Sequence, residues 1–418
     1  MTQSNNWKKN ITLFLTSQAI SLLGSSTVQF AISWYVARET KSGLMFALVT
    51  LCGFLPQVLI SLFAGVWADR YNRKMLIVLA DGGIALVTLV LAIIITHSGG
   101  VFWALLVISA IRSVGAGIQT PTVNAAIPQL VPKEQLMRIG GINSSIQSVI
   151  FLISPALAGA VLSWGAFQYV LFIDVVTAAI GISVMLFWVP LTKLERPEGQ
   201  AETGYFDDLK EGISYVMGNP FLRRVLLVCG VFCFLIVPAA FYNVPMVTRV
   251  FGGSYWFLTL NEIAFSAGAV IGGLVLGAWG GFPNRLKTLG WGGLGFGITT
   301  VGIGLLHTFW IYLIVIALAG FAMPFNNSPL MVLIQEKSEP EKQGRVFSLI
   351  QIVSTLVMQA GVVVFGLLSD IMPIQTLMVY SGIGLILMTI TVFRWKRFYR
   401  EGVTLPSPPT DVADLENG

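Results

Sequence analysis

Four ionisable side chains, Asp81, Arg112, Asp174 and Glu262, interrupt long apolar stretches. Such groups are expensive to hold away from water, which makes each a functional candidate by default. A carboxylate in that setting can exchange a proton during a working cycle, or hold a cation while it is ionised. Glu262 is the first candidate for this chemistry, because Ala267, Gly268, Gly272 and Gly273 follow it and small residues suit a closely packed, moving helix. Its alternative is a rim carboxylate, wet or paired with Arg249. Asp174 is the second candidate, with an inter-helix hydrogen bond as its alternative. Arg112 falls about 16 Å into its helix at 1.5 Å per residue. It serves either proton coupling or a structural role, satisfied by helix carbonyls. Asp81 reads as a partner of Arg73 or Lys74.

Other chemistries find little support. The two histidines, His97 and His307, fall at helix ends, and Cys52, Cys229 and Cys233 lie in apolar stretches without paired metal-ligand spacing. No Gly-rich, Lys-bearing phosphate loop occurs. No metal and no cofactor are expected, and a membrane-embedded enzyme is disfavoured.

The elements that must position these groups follow from where charge is missing. The 418 residues are 55% hydrophobic and only 11% charged, with a mean hydropathy of +0.79, against roughly a quarter charged in soluble domains. A membrane-spanning helix needs about 20 apolar residues. Charge-free windows of that length or longer run over 10–37, 42–68, 82–111, 139–173, 225–248, 288–335, 346–369 and 371–393. The apolar runs are continuous, without the alternation of a membrane barrel. The fold class expected is an all-α membrane protein of twelve spans, near 9–37, 43–68, 74–96, 101–127, 136–163, 166–190, 220–248, 256–281, 286–306, 309–335, 344–369 and 373–396.

Basic residues concentrate on the cytoplasmic side of membrane proteins. With both termini inside, all but Arg38, Lys41, Arg249 and the intramembrane Arg112 fall in cytoplasmic segments. The basic pI near 9.1 thus reflects topology, with no nucleic-acid partner needed. The expected organisation is a six-helix half over 1–190, a cytoplasmic linker over 191–219, a second half over 220–397 and a disordered tail over 398–418. In the linker, Phe206, Leu209, Ile213 and Val216 are spaced as an amphipathic surface helix.

The halves echo each other. Gly65, Trp67, Asn72 and Arg73 recur as Gly277, Trp279, Asn284 and Arg285 at a constant offset, and Pro121-x-x-Asn124 recurs as Pro324-x-x-Asn327. Transporters are commonly built from such repeats, with the substrate between them.

Gly65-x-x-x-Asp69-Arg70-x-x-Arg73-Lys74 resembles the signature loop of the major facilitator superfamily. Gly53-Phe-Leu-Pro56, Ile111-Arg112-Ser113-Val114-Gly115, Ser154-Pro155-Ala156 and Gly344-Arg-Val-Phe-Ser-Leu349 resemble its macrolide-efflux branch more narrowly. The resemblance implies a drug:proton antiporter of the plasma membrane that exports amphiphilic antibiotics. Small-molecule drugs, protons and membrane lipids are its implied partners, and a monomer is expected. It also implies a gating latch of Gly65, Asp69, Arg70, Arg73 and Lys74, with Asp81 attached and Asp69 facing the start of the eleventh span near Gly344. Ser154, Pro155 and Gly159 resemble an antiporter kink, set against a merely bent, packed helix.

Polar and aromatic residues that break apolar runs suggest the drug pocket: Gln29, Trp34, Tyr35, Phe54, Phe241, Tyr242, Asn243, Phe325, Asn326, Asn327, Met358 and Gln359. Proline-flanked asparagines in Phe241–Pro245 and Pro324–Asn327 predict local unwinding beside a cavity. An exporter or flippase of another amphiphile is the alternative function.

Overall fold

The computed structural model describes residues 6–98, 102–165, 167–191, 205–339 and 342–402. Apart from one turn of 3-10 helix at Lys133–Gln135, the described elements are α-helices. That is expected of a chain whose backbone groups must bond internally in hydrocarbon. The first half comprises α1 (Trp7–Thr40), α2 (Gly43–Arg70), α3 (Arg73–Ser98), α4 (Phe102–Leu130), α5 (Leu136–Trp164) and α6 (Phe167–Trp188). After the linker helix α7 (Tyr205–Gly218), the second half comprises α8 (Pro220–Leu235), α9 (Val237–Phe241), α10 (Asn243–Val250), α11 (Tyr255–Trp279), α12 (Arg285–Leu305), α13 (Phe309–Lys337), α14 (Gln343–Ile371) and α15 (Ile374–Arg394). A short α16 (Lys396–Glu401) follows.

Eleven described helices are long and apolar enough to cross a membrane. The remaining crossing, expected as one helix over 220–248, is three helices laid end to end, α8, α9 and α10. They break at Ile236 and Tyr242. The reason lies in Pro238 and Pro245: each lacks an N–H and its ring clashes with the carbonyl four residues earlier. Unwinding is thus found where Phe241–Pro245 predicts it. It is not found at Pro324, where α13 remains continuous.

The internal repeat is structural. Asn72 caps α3 by accepting from the Lys74 N–H at 3.0 Å, and Asn284 caps α12 by accepting from the Leu286 N–H at 3.0 Å. The arginines that follow also correspond: Arg73 donates to the Ala68 carbonyl and Arg285 to the Gly280 carbonyl, each five residues back.

The core shows how the halves meet. At the end of the bundle carrying the basic loops, the buried apolar residues form two separate clusters. One is around Phe14, Ile77 and Met185 in the first half, the other around Leu222, Leu333 and Val346 in the second. At the opposite end a single cluster runs across both halves, from Val28, Trp34 and Phe46 to Tyr242, Phe296 and Val362. Among the described residues, the buried apolar core thus runs across both halves at the end away from the basic loops and is split between them at the basic end.

The small residues after Glu262 pack within the second half rather than against the first. A Cβ on Gly268 would meet the Ala317 carbonyl at 1.9 Å, and one on Gly272 the Phe321 carbonyl at 2.2 Å, so α11 and α13 cross in backbone contact. Ala267 and Gly273 are exposed.

At the basic end, α7 is bent 107° from α8 and lies across the bundle. Its described side chains dock on the second half: Val216 is fully buried, Gly212 lies against the Arg345 backbone, and Arg345 pairs with Glu211 at 2.6 Å. The side chains of Phe206 and Leu209 lie outside the described residues. Packed chain continues beyond 397, because Phe398 is fully buried against Phe221 and the Gly402 carbonyl accepts from Arg285 N–H at 3.0 Å.

Candidate functional site

A cavity of about 370 Å³ lies between the halves. Its walls come from α1, α2, α3, α4 and α5 on one side and α9, α10 and α11 on the other. Gln29, Trp34, Phe54, Phe241 and Asn243 line it, together with Arg112 and Glu262. Phe54 and Phe241 meet edge-on across it, with ring centroids 6.4 Å apart. The Gln29 Nε2 is buried without a hydrogen-bond partner, leaving a donor for a ligand.

Ser25, Ser26, Ser33, Thr50, Gln57, Ser113 and Gln119 also line the cavity, and sequence reasoning passed over them. Single hydroxyls in apolar helices are weak signals, since they commonly bond their own helix, as Ser33 does to the Gln29 carbonyl and Thr50 to that of Phe46. A serine and threonine stripe facing the same way as Gln29 was the signal to follow.

Arg112 and Asp174 form one ion pair, both buried. Arg112 also donates to Thr88 Oγ1 and, at 3.3 Å, to the Ser25 carbonyl, while Ser25 Oγ donates to Asp174 at 2.9 Å. The pair thus ties α1, α3, α4 and α6 together. Arg112 is satisfied chiefly by a carboxylate, not by helix carbonyls, and its other face borders the cavity.

Glu262 borders the cavity from the second half. Its hydrogen-bond partner is Asn261 Nδ2 at 3.3 Å, and Asn261 in turn accepts from Tyr312 at 2.5 Å. Arg249 is engaged elsewhere, so the pairing with Glu262 considered from sequence does not occur.

Seven candidates for the drug pocket do not border the cavity. Tyr35 stacks on Phe167 at 4.5 Å, and Tyr242 donates to the Val362 carbonyl at 2.6 Å. Phe325 packs over Gly292 and Trp279, and Asn326 is buried and bonds the Ala322 carbonyl. Asn327 is exposed, Met358 packs against the shared core, and Gln359 is buried in α14.

In the signature loop, the Asp69 side chain lies outside the described residues, and Gly65 and Gly344 each face open space. Arg70 is exposed at the helix end. Arg73 also donates to the Ala125 carbonyl, and Lys74 to those of Leu186 and Val189, pinning this end of α3 to α4 and α6. Asp81 is not a partner of Arg73 or Lys74. Two helical turns further into the bundle, it accepts from Gln119 Nε2 at 2.6 Å.

Ser154, Pro155 and Gly159 lie where α5 meets α11. Pro155 leaves α5 continuous, and its carbonyl accepts from Thr259 Oγ1 at 3.4 Å. A Cβ on Gly159 would overlap that same hydroxyl, and Ser154 is fully buried beside it.

One residue that sequence reasoning missed joins the halves directly. Asp370, at the end of α14, accepts from the Gly43 N–H at 2.6 Å, the Leu44 N–H at 3.0 Å and Ser42 Oγ at 2.7 Å. It therefore caps the start of α2, where a helix favours negative charge. Arg249 holds it from the other side at 3.0 Å.

Twelve crossings in two repeated halves around a central cavity define a membrane transporter architecture. The model of the Major Facilitator Superfamily matches residues 14–358 and 254–413, and the chain belongs to that superfamily. Within it, the chain is similar to Macrolide efflux protein A of Streptococcus pyogenes, with 32% identity over 93% of this chain and 96% of that protein. It is also similar to Enterobactin exporter EntS of Shigella boydii, with 26% identity over 92% and 93%. Among solved structures, a bacterial homolog of the human lysosomal transporter Spinster, inward-facing and unoccupied, superposes with a TM-score of 0.71 at 16% identity, covering 97% of this chain and 100% of that one.

Proposed function

We propose that the protein is a proton-driven exporter of amphiphilic antibiotics of the macrolide class, working by alternating access in the plasma membrane as a monomer. The observation that carries this reading is Glu262: a carboxylate without a cationic partner among the described residues, on the wall of a mixed polar and aromatic cavity between the halves. The similarity to Macrolide efflux protein A supports the substrate class.

The bias of basic residues supports placing the basic end and both termini in the cytoplasm. On that reading the structure faces inward: the cavity's far side is shut by the shared core, the Gly159–Thr259 contact and the Asp370 clasp. Drug enters from the cytoplasm or inner leaflet and displaces the Glu262 proton, its apolar body against Trp34, Phe54 and Phe241. The loaded bundle rocks, Asp69 approaches the start of α14 near Gly344 and holds the basic end shut, and the far end opens. A proton taken from outside then releases the drug.

The test is uptake of labelled macrolide into inside-out vesicles with an imposed pH gradient. Gradient-driven accumulation is expected for the wild type and its loss for Glu262→Gln. Wild-type vesicles that do not respond to the gradient would overturn antiport. Export of another amphiphile, a siderophore above all, is the second reading. It is favoured by the similarity to Enterobactin exporter EntS, and siderophore outcompeting macrolide in the same assay would select it.

A further inference from the structure

Four ionisable side chains lie deep within the described spans, and their charges do not balance. Arg112 supplies one positive charge, which Asp174 matches in a buried pair. Glu262 and Asp81 are then two carboxylates without cations. No described residue supplies a counter-ion for either, and a lone buried negative charge is costly.

Asp81 is buried, at 3% exposure, and its hydrogen-bond donor is a neutral amide. From α4, Gln119 donates to it at 2.6 Å, and the same amide lies 3.4 Å from Gln18 Oε1 of α1. The Ser21 hydroxyl of α1 is also near it, and from α6 the charged group acting on it is Asp174, itself held by Arg112. On its own helix, Arg73 and Lys74 are committed to carbonyls at the helix end. Amides and hydroxyls are partners that serve a carboxylate and a carboxylic acid alike.

The group is also within reach of water. Gln119 borders the central cavity and, on its other side, a void of about 70 Å³ lined by Gln18, Asn124, Asn143 and Gln147. A void of that size and polarity can hold ordered water. One amide therefore separates Asp81 from two wet spaces.

We infer that Asp81 is a second proton-carrying carboxylate, set behind Gln119, so that each transport cycle moves two protons, one at Glu262 and one at Asp81. This rests on the proton-driven reading above. Glu262 gives up its proton as drug binds; Asp81 exchanges its proton with water admitted past Gln119 when the bundle changes access, following the same gradient.

The experiment is the steady accumulation of labelled macrolide in proteoliposomes, with the voltage clamped at zero and the pH gradient varied. Each coupled proton contributes about tenfold accumulation per pH unit. The wild type is expected to reach about 100-fold per unit, and Asp81→Asn about tenfold with its downhill flux retained. Gln119→Leu, which leaves the carboxylate in place and replaces the polar side chain between it and the cavity, is expected to show the same tenfold slope, a steady-state ratio independent of how fast drug passes this cavity-lining position, and serves if Asp81→Asn does not fold. A wild-type value near tenfold overturns the second proton while leaving antiport intact, as does Asp81→Asn or Gln119→Leu keeping the wild-type value. Failure of antiport itself looks different, with no dependence on the gradient in the wild type.

Discussion

The Asp370 carboxylate in one half of the protein accepts a 2.6 Å hydrogen bond from the Gly43 backbone N–H in the other. Charge-assisted bonds of this kind contribute about 1.5–3 kcal/mol, and on the proposed alternating-access cycle this one breaks when the far end opens. Asp370→Asn keeps the shape and removes the charge. It is expected to raise opening at that end on the order of tenfold, read as faster labelling of Thr50→Cys, in a Cys52→Ser background, by a thiol reagent applied from that side. Labelling at the parent rate would show that the clasp does not hold the gate.

Breaking the Arg112–Asp174 pair from one side leaves a buried charge without its partner, a loss of about 3–5 kcal/mol. Arg112→Ala should therefore unfold at a markedly lower temperature. Adding Asp174→Asn to it should restore most of the loss, because the stranded charge is gone. A double variant as unstable as the single would mean that the arginine's bonds to Thr88 and Ser25 matter more than the pairing.

Where α11 crosses α13, backbone contact leaves no room for a methyl group at Gly268, whereas Gly273 has 3.9 Å to its nearest neighbour. Gly268→Ala forces the helices apart, a strain of roughly 1–3 kcal/mol, and should lower the unfolding temperature by several degrees. Gly273→Ala should leave it unchanged. Equal effects at both positions would contradict the crossing.

On the proposed reading, the unbonded Gln29 amide in the cavity is a donor for the drug. Loss of one such hydrogen bond is worth about 0.5–1.5 kcal/mol, so Gln29→Ala should weaken macrolide binding about 3- to 10-fold. Asn327→Ala, away from the cavity, should bind as the parent does. Binding titrations on purified protein would decide between them.

Most of the architecture was legible because charge is so scarce: windows between Lys9 and Arg38, or between Arg345 and Asp370, can only be spans. The composite crossing was half legible. Phe241–Pro245 announced a break, but the same signature at Pro324 did not, because α13 packs tightly enough against α11 and α12 to remain helical through its proline. The ionisable candidates could be chosen one at a time, yet their pairing could not. Arg112 and Asp174 are joined by tertiary packing, and nothing in their spacing distinguishes that partnership from Asp81 with Arg73. Asp370 escaped notice because it stands at the boundary of two charge-free windows, where a loop acid is unremarkable. Its role depends on the start of α2 arriving beside it.

The linker helix α7 is anchored by Val216, Gly212 and Glu211 to the second half. That half therefore carries its own strap at the basic end. At the other end the shared core and the Asp370 clasp join the two halves. Two separately translated polypeptides, divided just ahead of Tyr205, should consequently assemble in the same membrane as one working transporter, much as the two copies of an ancestral gene would have done before they were fused.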